Sequence, residues 1–242
     1  MLIALEGRAW LEFALLAPTM PLLRTALCGD GQPVLVLPGW LASDRSTRTL
    51  RWFLRDRGYH AHGWRLGLNW GPTPEIRTGL ATRLSELRQR YGRTVSIVGW
   101  SLGGIYAREL ARLFPHDVRQ VITLATPFRD VSATSVARFR PSQPLPPADV
   151  MARLRSPVPV PSTSVYSRTD GVVAWQSCLD DAGPERENVE VGSSHCGMGH
   201  HPGVLLVVAD RLAQPEGEWR PYAPTGWSTW PLLVARAAAP AQ

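Results

Sequence analysis

The stretch "VSIVGWSLGGIYAREL", residues 95–110, joins an apolar run to a helical pattern through Gly99-Trp100-Ser101-Leu102-Gly103. A serine between two glycines at a strand-to-helix junction predicts a tight turn with a strained serine backbone, where larger side chains two positions away would collide with neighbouring backbone. The hydroxyl then projects above the sheet, beside the first free N–H groups of the new helix. We therefore predict that Ser101 is a nucleophile. The alternative is a structural glycine turn whose serine caps the helix.

Strand and helix patterns alternate on both sides of this junction. Short apolar runs at residues 34–37, 94–98 and 120–124 predict buried strands. Weaker strand patterns occur in "YHAHGW", "STSVYS" and "NVEVGSS". Helical patterns lie at residues 46–58, 73–92, 102–114, 148–155 and 204–212. This alternation predicts an α/β fold, with one sheet of about six mostly parallel strands and helices on both faces.

The length of 242 residues and the hydrophobic content of 44% predict a single domain with a substantial core. We expect the α/β core at about residues 33–212. The proline-rich segment at about 127–161 is predicted as a small insertion, either a lid or a static loop. Residues 213–242 have no clear periodicity and are predicted as an irregular tail.

The first residues, at about 1–27, are apolar but interrupted by Glu6, Arg8 and Glu12. These charges disfavour both a signal peptide and a membrane span. An amphipathic helix that packs on the domain is the prediction, and weak contact with a membrane surface is the alternative.

The formal net charge is +6, and all 26 basic residues are arginines spread along the chain. Because they form no concentrated stripe, we do not expect a nucleic-acid partner. The absence of lysine excludes Schiff-base chemistry and a P-loop. The three cysteines contain no CxxC pair and leave an odd one over, which favours a reducing, cytoplasmic location.

Ligands of α/β sheets bind beyond the carboxyl ends of the strands, so the partners of the serine are sought there. His195 follows the last predicted strand and is the predicted base, with His200 and His201 as alternatives. Asp170, in "SVYSRTDGVV", is the predicted acid that orients the histidine, and Asp130 is its competitor. Both assignments remain open on sequence alone, because each residue type also occurs in ordinary turns.

A metal site made of His195, Cys196, His200 and His201 is an alternative use of the same residues. The ligand types are suitable, but their spacing matches no recognised metal motif. We therefore predict no metal and no cofactor.

The segments "VLVLPGW", "SIVGWSLGG", "VITLATPF" and "YSRTDGVV", with the order Ser101, Asp170, His195, resemble the α/β-hydrolase superfamily over about residues 33–212. They are most similar to bacterial lipases and esterases, including the group related to glycosylphosphatidylinositol inositol-deacylases. The resemblance implies a nucleophile at Ser101, an acid at Asp170 and a base at His195. It also implies an oxyanion hole from the backbone N–H groups of Leu102 and Trp40.

Two features depart from the superfamily pattern. Pro-Gly stands before Trp40, where lipases often have His-Gly, and the usual first two strands of the superfamily are not recognisable. The second departure predicts a compact, six-stranded version of the fold.

This constellation predicts hydrolysis of a carboxylic ester through an acyl-enzyme, on a small-molecule or lipid-like acyl ester. Leu41 and Phe128, beside Trp100, are predicted to line an apolar acyl pocket. The same residues would serve an acyltransferase or a thioesterase, and a noncatalytic ligand-binding relative is a further alternative. No particular oligomeric state is predicted.

Overall fold

The computed structural model describes residues 2–135, 146–223 and 236–237, and within them all strands form a single sheet. Six strands run parallel to one another, as predicted. They are β1 (Pro33–Leu37), β2 (His60–Gly63), β3 (Val95–Trp100), β4 (Val118–Leu124), β5 (Ser162–Tyr166) and β6 (Arg186–Glu190). A two-residue strand, β7 (Arg236–Ala237), pairs antiparallel with β6, which gives the order β2-β1-β3-β4-β5-β6-β7.

Seven α-helices accompany the sheet in the described part of the chain. They are α1 (Ala9–Ala14), α2 (Leu16–Leu23), α3 (Arg48–Asp56), α4 (Pro74–Tyr91), α5 (Leu102–Leu113), α6 (Ala148–Arg155) and α7 (Pro202–Ala213). In some of these helices, capping residues in the sequence determine where the helix begins or ends. In α4, for example, the Thr73 hydroxyl accepts the N–H of Ile76 at 3.3 Å, Pro74 is the first residue, and Gly92 ends the helix at φ 62°.

Helices cover both faces of the sheet, as the α/β pattern predicts. Alternate residues of β1 point to opposite sides, because the side-chain period of a strand is two. Val34 and Val36 join a buried cluster with α3 and α7. Leu35 and Leu37 join a second cluster with α4 and α5. Every residue of β1 is therefore buried, which explains its continuous apolar run.

The segment predicted as an amphipathic helix at about residues 1–27 is helical in three pieces rather than as one element. The segment consists of a 3₁₀ helix (Leu2–Arg8) followed by α1 and α2. Pro18 and Pro21 both lie in α2, and each lacks the N–H that would donate to the carbonyl four residues earlier, which weakens the helical hydrogen bonding of this segment. Within the described residues, no helix combines the length and the hydropathy that crossing a membrane would require.

The proline-rich insertion contains α6, in the position that the sequence predicts. Residues 136–145, which belong to the predicted lid or loop, lie outside the described residues. The tail predicted as irregular contributes β7, while residues 224–235 and 238–242 are outside the described part.

Candidate active site

The carboxyl ends of the parallel strands meet at one edge of the sheet, and Ser101 lies there between β3 and α5. Its backbone has φ 52° and ψ −120°, the strained turn that the sequence predicts. A Cβ atom at Gly99 would lie 2.4 Å from the Gly103 carbonyl oxygen, and one at Gly103 would lie 2.4 Å from the Leu37 carbonyl oxygen. Since these are contacts with backbone, only glycine fits at either position.

Asp170 and His195, taken from the loops after β5 and β6, are directly hydrogen-bonded. The Nδ1 of His195 lies 2.8 Å from Oδ2 of Asp170. A carboxylate only accepts, so Nδ1 donates and Nε2 is left as the ring nitrogen that can take a proton. The other oxygen of Asp170 accepts the N–H groups of Val172 and Val173, each at 2.7 Å. Both side chains are held in place, with Asp170 4% and His195 8% exposed.

The Ser101 hydroxyl makes no hydrogen bond to any residue in the described part of the chain. Ser101 and His195 are therefore not hydrogen-bonded to each other in this structure; contacts between a serine nucleophile and its base often tighten only when substrate binds. Trp100 lies beside His195, with 6.4 Å between the centroids of the two rings. Trp100 also packs on Gly199, where a Cβ atom would come within 2.9 Å of the indole ring.

The structure places the competing residues elsewhere. His200 Nε2 bonds to the carbonyl of Ala9 at 2.9 Å, and His201 Nδ1 accepts the N–H of Gly203 at 3.2 Å at the start of α7. Burial lowers the pKa of both imidazoles, that of His201 to about 4. Asp130 is part-exposed, and its carboxylate accepts the N–H of Ser132 at 2.9 Å. Asp170, and not Asp130, is thus the residue brought to His195.

Within the described residues, no three His, Cys, Asp or Glu side chains lie close enough together to hold a metal ion.

The loop after β1 runs directly beside the serine. A Cβ atom at Gly39 would lie 3.3 Å from Cβ of Ser101, which puts Trp40 next to the turn. The buried side chain of Asn69 supports this loop, because its Nδ2 donates to the Pro38 carbonyl at 3.0 Å. Leu102 is the first residue of α5, where a backbone N–H has no acceptor within the helix. That Trp40 and Leu102 form an oxyanion hole stays a prediction.

The two predicted pocket residues have different surroundings. Leu41 is 45% exposed and has φ 55°, while its N–H donates to the Asn69 carbonyl at 2.7 Å. Phe128 is fully buried, with the guanidinium of Arg108 3.9 Å from the centre of its ring. Phe128 therefore lies in the core rather than on an open surface, and its contribution to an acyl pocket stays a prediction.

Two carboxylates that the sequence shows only as charges within an apolar run reach the loops that carry Asp170 and His195. Glu6 Oε1 accepts the N–H groups of Gly171 at 2.7 Å and His195 at 3.0 Å, and Oε2 accepts that of Cys196 at 2.8 Å. Burial raises the pKa of Glu6, but these three backbone N–H groups outweigh it and hold the pKa below its usual value. We call residues 6–12 the N-terminal clasp.

The second carboxylate of the clasp is Glu12, which is buried. It accepts the N–H of Ser194 at 2.8 Å and the Ser194 hydroxyl at 2.6 Å. Arg8, which also bonds to Glu12 at 2.9 Å, donates to the Thr169 hydroxyl at 2.6 Å. No local sequence signal identifies these contacts, because their partners lie far along the chain.

No family model matches the chain, and no curated protein sequence matches it. The chain is, however, similar to solved structures. The mature form of Bacillus licheniformis lipase BlEst2 has a TM-score of 0.54 at 17% identity, over 72% of this chain and 89% of the lipase. Aspergillus fumigatus lipase B has a TM-score of 0.58 at 16% identity, over 79% of this chain and 55% of that lipase. A pyrethroid hydrolase from Sphingobium faniae JZ-2 has a TM-score of 0.53 at 18% identity, over 76% of this chain and 98% of that enzyme. With its parallel sheet and its serine turn after β3, the chain has the α/β-hydrolase fold.

Proposed function

We propose that this protein is a serine hydrolase that cleaves carboxylic esters through an acyl-enzyme. The observation that carries the proposal is the Asp170–His195 hydrogen bond of 2.8 Å at the same sheet edge as the strained Ser101 turn. A serine hydroxyl is a weak nucleophile unless a base takes its proton, and a histidine fixed by a carboxylate is suited to that task.

In the acylation step, Ser101 Oγ attacks the ester carbonyl carbon while His195 Nε2 accepts the hydroxyl proton. Asp170 keeps the other ring proton on Nδ1 and stabilises the imidazolium that forms. The tetrahedral intermediate then collapses. The carbon–oxygen bond to the alcohol breaks, and the alcohol leaves with the proton from His195. The acyl group remains on Ser101.

In the deacylation step, water attacks the acyl-enzyme and His195 again accepts the proton. The free acid leaves and Ser101 recovers its proton. The backbone N–H groups of Leu102 and Trp40 would stabilise the oxyanion in both steps. Loss of one such donor typically costs about 3 kcal/mol of transition-state stabilisation.

The substrate class is a small-molecule or lipid-like acyl ester. The similar structures include two lipases and a pyrethroid hydrolase, and an ester-cleaving activity agrees with those names. The exposed side chain of Leu41, next to the turn, offers apolar surface for an acyl chain. Membership of the inositol-deacylase-related group stays a prediction.

The test measures turnover of p-nitrophenyl esters of increasing acyl length by the wild type and by Ser101→Ala. Ser85→Ala, a change at an exposed serine on α4, is the matched control. We expect the Ser101 variant to lose at least about 10³-fold in kcat, and the control to keep wild-type rates. Equal rates for the wild type and Ser101→Ala would refute the proposal. A fluorophosphonate adduct on Ser101 would exclude the noncatalytic alternative, and a parallel thioester series would separate an esterase from a thioesterase.

A further inference from the structure

The clasp connects the two loops that carry the acid and the base. A single oxygen, Glu6 Oε1, accepts the N–H of Gly171, which follows Asp170, and the N–H of His195 itself. The two loops come from different strands, and this oxygen sets the separation of their backbones. The Asp170–His195 hydrogen bond depends on that separation, because a hydrogen bond weakens steeply when its length or angle changes.

The remaining clasp contacts act on the same two loops. Glu6 Oε2 accepts the N–H of Cys196 at 2.8 Å, so that the backbone is held on both sides of the His195 side chain. Arg8 donates to the carbonyl of Thr169 at 3.1 Å, which lies directly before Asp170. The clasp therefore holds the residues that flank both Asp170 and His195.

The Asp170 carboxylate is held by backbone N–H groups of its own turn, whereas the backbone N–H of His195 is bound by the clasp. Asp170 accepts two backbone N–H groups from the turn that it begins. Around His195 the backbone hydrogen bonds of its loop, such as Met198 N–H to the His195 carbonyl at 3.3 Å, stay within the loop, while the start of the loop is joined to the end of β5 by Val191 N–H to the Tyr166 carbonyl at 2.9 Å. The backbone N–H of His195 is bound by a residue from the other end of the chain, Glu6.

We propose that Glu6 is a positioning residue for the base of this site. Its carboxylate fixes the His195 loop against the Asp170 loop. It thereby keeps Nδ1 of the imidazole hydrogen-bonded to the Asp170 carboxylate and Nε2 available to accept the Ser101 proton. This inference rests on the proposed function, since positioning of a base has a purpose only where a base acts. Glu6 does not touch the reacting atoms.

The test compares Glu6→Gln and Glu6→Ala. Glutamine keeps one oxygen, which can still accept the Gly171 and His195 N–H groups, but it places an NH₂ group against Cys196. Alanine removes both acceptor oxygens and therefore all three hydrogen bonds. Because a displacement of about 1 Å at a catalytic group costs on the order of 10²-fold, we expect kcat to fall about 3-fold in Glu6→Gln and about 30-fold in Glu6→Ala. We expect KM to stay within about 2-fold, since the substrate contacts are unchanged.

The second readout needs no substrate. The Nδ1 proton of His195 gives a proton NMR signal that reports its hydrogen bond to Asp170, assigned by its loss in His195→Gln. We expect the signal to shift or broaden in Glu6→Gln and to disappear in Glu6→Ala. The control is Glu187→Gln. Glu187 is a buried carboxylate that also accepts a backbone N–H, that of Tyr222 at 2.6 Å, and pairs with Arg211. Glu187→Gln should lower the free energy of unfolding and leave both kcat and the His195 NMR signal unchanged.

Wild-type kcat together with an unchanged His195 signal in Glu6→Gln and Glu6→Ala would overturn the proposal. If Glu6→Ala does not fold, the isosteric Glu6→Gln decides alone: an unchanged signal and kcat refute it. An equal loss in Glu187→Gln would also refute it, because the effect would then be one of general stability. Since the NMR signal is recorded without turnover, a chain that lacks esterase activity would still show whether Glu6 positions His195.

Discussion

Asp170→Asn is the substitution that most directly tests the assignment of acid and base. Asparagine has nearly the same volume, and its Oδ1 can keep the two backbone hydrogen bonds from Val172 and Val173, each 2.7 Å long. In the wild type, Asp170 Oδ2 lies 2.8 Å from His195 Nδ1. The substitution replaces this acceptor oxygen by an NH₂ donor. The imidazole must then carry its proton on Nε2, and in that tautomer Nε2 cannot accept the proton of Ser101.

The expected loss of activity is much larger than the expected loss of stability. A base held in the wrong tautomer loses about 10⁴-fold in kcat. That factor corresponds to about 5.5 kcal/mol of transition-state stabilisation. The fold loses much less, because two of the three hydrogen bonds of the side chain remain and the third is exchanged for another. We expect the free energy of unfolding to fall by about 1 kcal/mol.

The assay combines initial rates on a p-nitrophenyl ester with urea unfolding, for the wild type, Asp170→Asn and Asp130→Asn. Asp130 is the matched control, because its carboxylate bonds to Ser132 and not to the histidine. Ser101→Ala sets the background rate. The reasoning fails if Asp170→Asn keeps kcat within tenfold of the wild type, or if Asp130→Asn loses as much activity.

Further substitutions test stability by urea unfolding. Gly99→Ala places a Cβ atom 2.4 Å from a backbone oxygen of α5 and should cost about 3 kcal/mol, whereas Gly192→Ala, with nothing within 4 Å, should be neutral or slightly stabilising. Asp180→Ala removes the partner of a guanidinium that is 2% exposed, and should cost about 3–5 kcal/mol. Asp30→Ala breaks an ion pair whose side chains are 41% and 66% exposed, and should cost less than about 1 kcal/mol. Burial lowers the pKa of His201 from 6.5 to about 4, so the unfolded chain binds the extra proton and stability should fall, by up to roughly 3 kcal/mol, as the pH drops from 6.5 to 4. His201→Asn, which keeps a capping acceptor, should reduce that slope, while the pKa values of His62 and His200, also lowered by burial, maintain the rest; an unchanged slope would show that other groups cause it.

The sheet and the serine turn could be predicted from sequence because their signals are local. Gly99 and Gly103 stand at fixed offsets from Ser101, and the apolar run before them and the helical pattern after them complete the motif. Asp170 and His195 could be predicted for a related reason. Each follows a recognisable strand, and the carboxyl ends of parallel strands lie at one edge of the sheet. The chain order then reduces the search to a few polar residues.

The N-terminal clasp could not be predicted in this way. Glu6 meets Gly171 across 165 positions and Glu12 meets Ser194 across 182. Local patterns identify Glu6 and Glu12 only as charges within an apolar segment, and nothing in them specifies which distant N–H groups they will meet. Asn69 was missed for the same reason, because its role comes from contacts with Pro38 and Tyr106. The two-residue β7 is too short to produce a period-two signal.

The clasp also has a consequence for the order in which the site is completed during translation. His195 is joined to Glu6 across 189 positions, so the ribosome synthesises one partner long before the other. At about 5–20 residues per second, the clasp residues wait roughly 10–40 s for the loop that they will hold. Until then the Glu6 carboxylate has no His195 or Cys196 N–H to accept, and Glu12 has only its ion pair with Arg8. A nascent chain that has already formed the Ser101 turn therefore lacks the rest of the candidate site, which is complete only after the last strand of the parallel sheet has left the ribosome.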